Sequence, residues 1–368
     1  MDGERFVGVM SGTSLDGVDA VVVDFDRVDV RRFRTLGVGS LPFPDPVRDE
    51  LIALQASGHD EIARACRVAN VLADLYAEAI AAALAAAGVD ASGVTAAGVH
   101  GQTLRHRPGE GWTVQLNNPA RVAEQSGIAV VADFRSRDLA AGGQGAPLVP
   151  AFHAAVFGGP RHRAIVNVGG IANVTDLPPG GVVRGFDTGP GNVLMDLWHA
   201  RHRGGRFDAG GAWAATGRVN DALLADLFAE PFFDLPPPRS TGRDLFNARW
   251  LEAHVAGRGL PMADVQATLL ALTAQTIIAA LTRHCPGVEE ILVCGGGAHN
   301  DALLAALRAR LPNVGVDTTA VAGVAPRDVE PLAFAWLARE ALAGRPGNLP
   351  AVTGARGPRV LGAIYPRS

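Results

Sequence analysis

Small, hydroxyl-bearing and acidic residues are concentrated near the start of the chain, at residues 11–19. The apolar runs on either side, residues 6–10 and 20–23, predict a β-hairpin with this polar segment at its tip. Hydroxyl groups and backbone N–H groups freed by glycine can hold phosphate oxygens, and Asp16 and Asp19 could hold a hydrated Mg²⁺. An ordinary glycine-rich turn with solvated acids explains the same spacing, so both interpretations stay open at this point.

Two later glycine-bearing turns resemble the first. Gly169 and Gly170 separate two apolar runs within residues 164–175, which predicts a second hairpin. Residues 294–300, CGGGAHN, follow another apolar run, and glycine there would let the base and sugar of a nucleotide approach the backbone. None of the three turns fits GxGxxG followed by a distant acid, which disfavours a dinucleotide-binding domain. The repetition favours two similar lobes, each with a hairpin aimed at a shared cleft.

Asp187 is the acid best placed to act on a substrate. It is predicted to end a strand, and Thr-Gly-Pro-Gly follows it ahead of a predicted helix. Ligands of open α/β sheets bind at the carboxyl ends of strands, and a carboxylate there can accept a proton from a hydroxyl group or water. An aspartate that only caps a turn or a helix is the alternative.

Two further groups of polar residues could bind a substrate. Arg135, Arg137 and Asp138 share a short segment, where an arginine fork suits a carboxylate or phosphate and a local ion pair is the alternative. His100 and Gln102 follow a predicted strand and could hydrogen-bond a sugar or only cap the strand end. Serine hydrolase chemistry lacks support, because no GxSxG occurs.

The composition excludes several classes of protein. With 368 residues, 48% hydrophobic and 19% charged, the chain is expected to form about two globular domains. A net charge of −4 disfavours a nucleic-acid binder, and the absence of lysine excludes lysine-dependent catalysis and the Walker GK[ST] motif. Three scattered cysteines predict neither a disulfide framework nor a zinc site. No signal peptide or membrane span is predicted, so a reduced cytoplasmic location is expected.

Strands and helices alternate along the whole chain, which predicts the α/β class. The predicted boundary lies near residue 130. Residues 1–130 then form an N-terminal lobe with the first phosphate hairpin, and residues 131–329 form a C-terminal lobe with the second hairpin, Asp187 and the nucleotide-binding turn. The last helix, at about 330–344, and the C-terminal tail are expected to pack on the N-terminal lobe.

Together these motifs resemble the anhydro-N-acetylmuramic acid kinase family of the sugar kinase–Hsp70–actin superfamily. The resemblance covers nearly the whole chain, and the first and fourth of its motifs are the most specific. The motifs are GVMSGTSLDGVDA (8–20), ADFRSRDLAAGGQGAPLVP (132–150), NVGGIAN (167–173), GFDTGPGN (185–192), STGRDLFN (240–247), CGGGAHN (294–300) and FAWLA (334–338).

The resemblance implies an α/β protein with two actin-like, ribonuclease H-like lobes around an ATP cleft. It implies conversion of 1,6-anhydro-N-acetylmuramic acid, ATP and water into N-acetylmuramic acid 6-phosphate and ADP, a step in peptidoglycan recycling. ATP and Mg²⁺ are the expected cofactors, and the anhydro sugar is the expected partner. No nucleic-acid or membrane partner is expected, and a homodimer is left open.

With the resemblance, the residues assigned to the site fall into four groups. Asp187 is the general base, and Asp16 and Asp19 are assigned to the metal. The residues assigned to the nucleotide are Gly12, Thr13, Ser14, Leu15, Asp16, Gly17, Val18, Asp19, Gly169, Gly170, Asn173, Gly295, Gly296, Gly297 and Asn300. The residues assigned to the sugar are His100, Gln102, Arg135, Asp138 and Glu330.

Three positions depart from the family pattern and bear on nucleotide or sugar contacts. Arg239 stands where lysine usually precedes Ser-Thr-Gly-Arg, Asp244 where glutamate is usual, and Pro331 where a small residue is common after Glu330. Two rival functions are another sugar or acid kinase of the superfamily and an ATP-driven actin- or Hsp70-like binding module. The second rival needs a peptide-binding domain or filament insertions, for which 368 residues leave little room.

Overall fold

The structure, a computed structural model, describes residues 3–12 and 15–367. It divides into two compact units, one formed by the chain up to Val156 and from Asp328 onward, the other by Phe157–Arg327. The first boundary therefore lies later than the predicted residue 130. The reason is that the strand Val130–Ala132 pairs with Ala96–Val99 and extends the sheet of the first unit.

The secondary structure alternates as expected for an α/β protein. The strands are β1 (Gly3–Met10), β2 (Gly17–Asp26), β3 (Phe33–Pro42), β4 (Ala96–Val99), β5 (Gln102–Arg107), β6 (Trp112–Leu116), β7 (Val130–Ala132), β8 (Arg163–Val168), β9 (Ile171–Leu177), β10 (Arg184–Pro190), β11 (Glu290–Cys294), β12 (Gly315–Thr318) and β13 (Ala363–Tyr365). The α-helices are α1 (Asp45–Ala53), α2 (Glu61–Ala87), α3 (Pro119–Ser126), α4 (Ser136–Ala140), α5 (Val149–Phe157), α6 (Val193–Arg203), α7 (Asp221–Phe228), α8 (Ala248–Val255), α9 (Met262–His284), α10 (Asp301–Arg310), α11 (Val329–Leu342) and α12 (Pro350–Thr353).

The two units share one sheet topology. The first unit has the strand order β3-β2-β1-β4-β7, with β13 added at the β7 edge, and the second has β10-β9-β8-β11-β12. In each, three antiparallel strands are followed by two strands that run parallel to the first of them. This is the ribonuclease H-like arrangement, so the predicted fold class is confirmed.

Helix α11 packs closely on the sheet of the first unit because two glycines face it. A Cβ atom on Gly8 of β1 would lie 1.8 Å from the backbone oxygen of Pro331, and one on Gly98 of β4 would lie 2.0 Å from that of Phe334. Pro331 itself costs the helix little, because the N–H groups of the first turn have no partner inside the helix. Helix α11, the helix predicted at about 330–344, thus belongs to the first unit.

The prediction that no window approaches a membrane span was wrong by length and composition. Two helices, Glu61–Ala87 and Met262–His284, are long and apolar enough to cross a membrane. Each contains an 18-residue window with a mean hydropathy of 1.5. In the second helix 78% of that window is buried inside the protein. Burial on several faces explains the apolar sequence of α9, because a helix surrounded by core needs few polar positions.

Candidate active site

A backbone hydrogen bond joins the two sides of the first hairpin beyond the carboxyl end of β1. The N–H of Leu15 donates to the backbone oxygen of Gly12 at 3.2 Å, and Leu15 has a φ of 58°. The side chains of Leu15 and Val18 are buried in the core, so these two residues offer a ligand only their backbone. Thr13 and Ser14, also predicted for the phosphate loop, lie outside the described residues.

The two acids assigned to a metal both follow the turn of this hairpin, Asp16 directly before β2 and Asp19 within it. Asp16 is exposed, and its backbone oxygen accepts the N–H of Phe43 at 3.1 Å. Asp19 lies in β2, where its Oδ1 accepts the hydroxyl of Ser40 at 2.5 Å. In residues 3–12 and 15–367 no three His, Cys, Asp or Glu side chains form a cluster suited to a metal. Two carboxylates near a polar loop fit the few protein ligands and several waters that Mg²⁺ prefers.

A neutral histidine and a charged arginine are paired after β4. Nε and Nη2 of Arg135 donate to Nε2 of His100 at 3.2 and 2.9 Å, and Nη1 donates to the backbone oxygen of Gly145 at 2.7 Å. Burial and the charge of Arg135 hold the pKa of His100 well below its usual value, so the imidazole accepts as a neutral base. Burial lowers the pKa of Arg135 to about 10, while Glu330 and Asp138 act in the opposite direction. The arginine therefore stays cationic at neutral pH in a fixed position.

Two amide side chains near this pair have polar atoms without a partner among the described residues. Gln102 is fully buried and donates through Nε2 to the backbone oxygen of Gly12 at 3.2 Å, but its Oε1 accepts from no described donor. Both side-chain polar atoms of Asn117 are buried and unpartnered as well. Buried polar groups normally have partners, so these atoms fit a polar ligand. Asn117 was not assigned a role from the sequence, because its position directly after Leu116, the strand partner of Gln102, shows only in the assembled hairpin.

The prediction that Asp138 contacts the sugar is not supported by its position. Its side chain is 0% exposed. Its carboxylate accepts the N–H of Gly145 at 2.8 Å, Nδ2 of Asn348 at 2.7 Å and Oγ1 of Thr353 at 2.8 Å. A carboxylate enclosed by internal donors has a role inside the protein, whereas Arg135, three residues earlier, keeps part of its surface exposed.

In the second unit, Asp187 lies in the middle of β10 and not at the end of a strand as predicted. Its strand partner is Asn173 of β9, which in turn pairs with Asn167 of β8. Directly paired residues point to the same face of a sheet, so one carboxylate and two amides form a row across three strands. A bulge between Asp187 and Gly189 bends the strand next to this row. Asn167 was not assigned a role from the sequence, although it begins the NVGGIAN motif.

Burial changes the acidity of Asp187. It raises the pKa of this carboxyl from 3.8 to about 6, although the N–H of Thr241, the hydroxyl of Ser240 and the charge of Arg239 act in the opposite direction. The Thr241 N–H donates to Oδ2 at 2.9 Å, which fixes the carboxylate. A carboxylate with this pKa is ionised at pH 7 and remains basic enough to accept a proton in a reaction.

Arg239 holds the backbone around Asp187. Its Nε donates to the backbone oxygen of Asp187 at 2.9 Å, and its Nη1 donates to those of Phe233 and Leu235 at 2.9 and 2.7 Å. A planar guanidinium can reach three carbonyls at once, which a single ammonium group does less readily. Arg239 is only 9% exposed. Arginine in place of the usual lysine at this position therefore changes contacts inside the protein.

The remaining glycine turns pack against their own unit. The backbone oxygens of Gly169 and Gly170 accept N–H groups at the start of α6. A Cβ atom on Gly295 would lie 2.3 Å from Oδ1 of Asn167, and one on Gly297 would lie 2.3 Å from Cγ1 of Val168. Packing on β8 therefore explains these two glycines without a nucleotide.

Only the middle glycine of this turn keeps room beside it. The nearest atom to a Cβ on Gly296 would be Nδ2 of Asn192, at an ordinary 3.5 Å. Asn300 accepts the N–H of Leu303 at 3.0 Å and caps α10. Contacts inside the protein therefore explain why Gly295, Gly297 and Asn300 have these residue types, but they do not explain why residue 296 is a glycine.

A sequence model of the family described as anhydro-N-acetylmuramic acid kinase matches residues 4–367. A protein of that name from Thiobacillus denitrificans is 54% identical to this chain over 99% of this chain and 98% of its own length. Another, from Bordetella petrii, is 55% identical over 99% of this chain and 97% of its own length. The similarity covers both units and every motif described above.

Proposed function

The chain belongs to the anhydro-N-acetylmuramic acid kinase family, and from this premise we propose that Asp187 is the base of its reaction. The protein is an ATP-dependent sugar kinase. It converts 1,6-anhydro-N-acetylmuramic acid into N-acetylmuramic acid 6-phosphate during peptidoglycan recycling. The observation that carries the assignment of the base is the position of Asp187 in β10, beside two amides and with a pKa of about 6.

One carboxylate is enough for this reaction. A glycosidase normally uses two, one to activate water and one to protonate the leaving oxygen. Here the γ-phosphoryl group captures O6 of the sugar as the bond from C1 to O6 breaks, so no acid has to protonate it. Asp187 removes a proton from water, the water oxygen bonds to C1, and O6 bonds to phosphorus while ADP leaves.

The first hairpin is proposed to hold the phosphates of ATP. The support is the backbone hydrogen bond between Leu15 and Gly12, beyond the carboxyl end of β1, and the two acids that follow it. Asp16 and Asp19 would hold hydrated Mg²⁺, which neutralises charge on the transferred phosphoryl group. In the second unit, Gly296 and the Gly169-Gly170 turn are proposed to contact the nucleotide.

The sugar is proposed to bind at the end of β4 in the first unit. Arg135 supplies a cationic fork suited to the carboxylate of the sugar's lactyl group, and Gln102 and His100 supply polar atoms beside it. Glu330 lies near enough to Arg135 for its negative charge to raise the pKa of the arginine. We place the enzyme in the cytoplasm, because it uses ATP and its relatives are metabolic kinases.

The pH dependence of kcat/KM should report the ionisation of Asp187. Because burial raises its pKa to about 6, the base is protonated and inactive below that pH and ionised above it. We expect kcat/KM to rise with pH through about 6 and to level off above about 7. An initial-rate series from pH 4.5 to 8.5 measures this, with protein stability checked at each pH. A profile flat down to pH 4.5 contradicts the assignment.

Turnover in ¹⁸O-labelled water tests the coupled mechanism. If Asp187 activates water toward C1 while O6 takes the phosphoryl group, we expect the label at C1 of the product and none in its phosphate. No open sugar should form when ATP is omitted. Ring opening without ATP would show that hydrolysis and phosphorylation are separate steps, whereas label in the phosphate would show that water attacks phosphorus and not C1. Mass spectrometry of the product and its dephosphorylated form distinguishes the two positions.

A further inference from the structure

Asp138 joins two segments of the first unit that are far apart in sequence. Its Oδ2 accepts the backbone N–H of Gly145, which follows α4. Its Oδ1 accepts from the side chains of Asn348 and Thr353 at 2.7 and 2.8 Å. All these donors are neutral and the carboxylate is completely buried, so its two oxygens are occupied by this one set of contacts.

The loop on one side of Asp138 ends at the guanidinium of Arg135. Gly145 donates its N–H to Asp138 and accepts Nη1 of Arg135 at 2.7 Å through its backbone oxygen. The loop packs directly on the carboxylate, because a Cβ atom on Gly143 would lie 2.2 Å from Oδ2 of Asp138, and Gly145 has a φ of 68°, which favours glycine. One residue, Gly145, therefore connects the buried carboxylate to the arginine.

The segment on the other side, residues 348–359, is fixed to the same loop by backbone contacts. The N–H of Gln144 donates to the backbone oxygen of Thr353 at 2.8 Å, and the N–H of Arg356 donates to that of Ala141 at 2.9 Å. Within the segment, the N–H of Arg359 donates to Oδ1 of Asn348 at 2.7 Å. The C-terminal segment and the arginine loop therefore form one hydrogen-bonded structure with Asp138 at its centre.

We propose that Asp138 is a positioning residue through which the C-terminal segment, residues 348–359, fixes Arg135 for sugar binding. The inference rests on the proposed contact between Arg135 and the sugar. An arginine held at both Nη1 and Nη2 loses less conformational entropy when it binds an anion than a free one does. Release of Gly145 would remove one of its two anchors. The effect should then appear in sugar affinity and leave the affinity for ATP unchanged.

The variant Asp138→Asn tests this with nearly no change in shape. An amide nitrogen in place of one oxygen faces a donor, either Gly145 N–H or Asn348 Nδ2, so one contact is lost. We expect the KM for the anhydro sugar to rise about tenfold, with the KM for ATP within about twofold of wild type. The matched control is Asp208→Asn in the second unit, because Asp208 is also buried and accepts only from neutral donors, the N–H groups of Trp213 and Ala214 and Nε2 of Gln266; both KM values should stay unchanged.

A second substitution, at Asn348, should restore the hydrogen bonds that Asp138→Asn removes. In Asp138→Asn with Asn348→Asp, the new amide can donate to the new carboxylate, while its oxygen accepts Gly145 N–H. The hydroxyl of Thr353 can accept as well as donate. We expect the sugar KM of the double variant to return to within about threefold of wild type. If Asp138 has only a structural role, Asp138→Asn should lower the melting temperature. It should then neither raise the sugar KM selectively nor be rescued by Asn348→Asp.

Separate results overturn the inference and the proposed function beneath it. If Arg135→Gln leaves the sugar KM unchanged, the proposed sugar contact is wrong. If Arg135→Gln raises it but Asp138→Asn does not, or raises both KM values equally, Asp138 does not position the arginine. If Asp138→Asn is insoluble, Thr353→Val removes one donor only and is expected to raise the sugar KM by about threefold; an unchanged KM then overturns the inference.

Discussion

Asp187→Asn is expected to lower kcat by about 10²–10⁴-fold, the usual contribution of a general base. The substitution keeps the size of the side chain and lets its oxygen accept the Thr241 N–H that now binds Oδ2. It removes only the capacity to take a proton from water. Steady-state rates with saturating ATP and sugar measure the loss, and equilibrium binding of ATP should stay within about threefold of wild type.

The stability of this variant separates a lost base from a lost fold. The pKa of Asp187 is raised in the folded state, so its ionised form costs stability as pH rises through about 6. At pH 7 the neutral asparagine should therefore melt no lower than wild type. Asp234→Asn serves as a control, because it removes an exposed carboxylate of the same unit that pairs with Arg283. Retention of more than about a third of the wild-type kcat by Asp187→Asn would exclude Asp187 as the base.

The hairpins and the general order of strands could be predicted, because they depend on local sequence. Apolar runs of strand length around glycine turns indicate β1-β2 and β8-β9 without knowledge of distant residues. The long helices α2 and α9 carry a local signal too, because each is a long run rich in alanine and leucine with no internal proline or glycine. Such signals do not depend on which parts of the chain meet in space.

The environments of the site residues depend on contacts that no local pattern reveals. Asp138 is buried by residues more than 200 positions away, Asn348 and Thr353, so an exposed ligand contact was the natural prediction. The boundary near 130 was too early because β7 is short, and its pairing with β4 and β13 shows only in the assembled sheet. Gly295 suited a nucleotide site by type, although its neighbour is Asn167 of its own unit.

Close approach between helix and strand likewise explains Gly8, which the sequence shows only as the first residue of the motif GVMSGTSLDGVDA. A Cβ atom there would lie 1.8 Å from the backbone oxygen of Pro331 and 2.8 Å from the backbone nitrogen of Ala335. Both atoms belong to α11, and backbone atoms inside a helix cannot turn aside as a flexible side chain can. Either α11 or β1 has to shift, and β1 leads into the first hairpin.

Gly8→Ala should therefore destabilise the first unit by about 3 kcal/mol or more, at the upper end of what overpacking costs. For a unit of this size the melting temperature would fall by about 6–12 °C. Gly109→Ala is the matched control, because no atom lies within 4 Å of a Cβ there, and its melting temperature should change little. Calorimetry or circular dichroism on the purified variants measures both. Equal melting temperatures for Gly8→Ala and Gly109→Ala would show that α11 does not pack against β1 as closely as these distances require, whereas an insoluble Gly8→Ala beside a soluble control agrees with it.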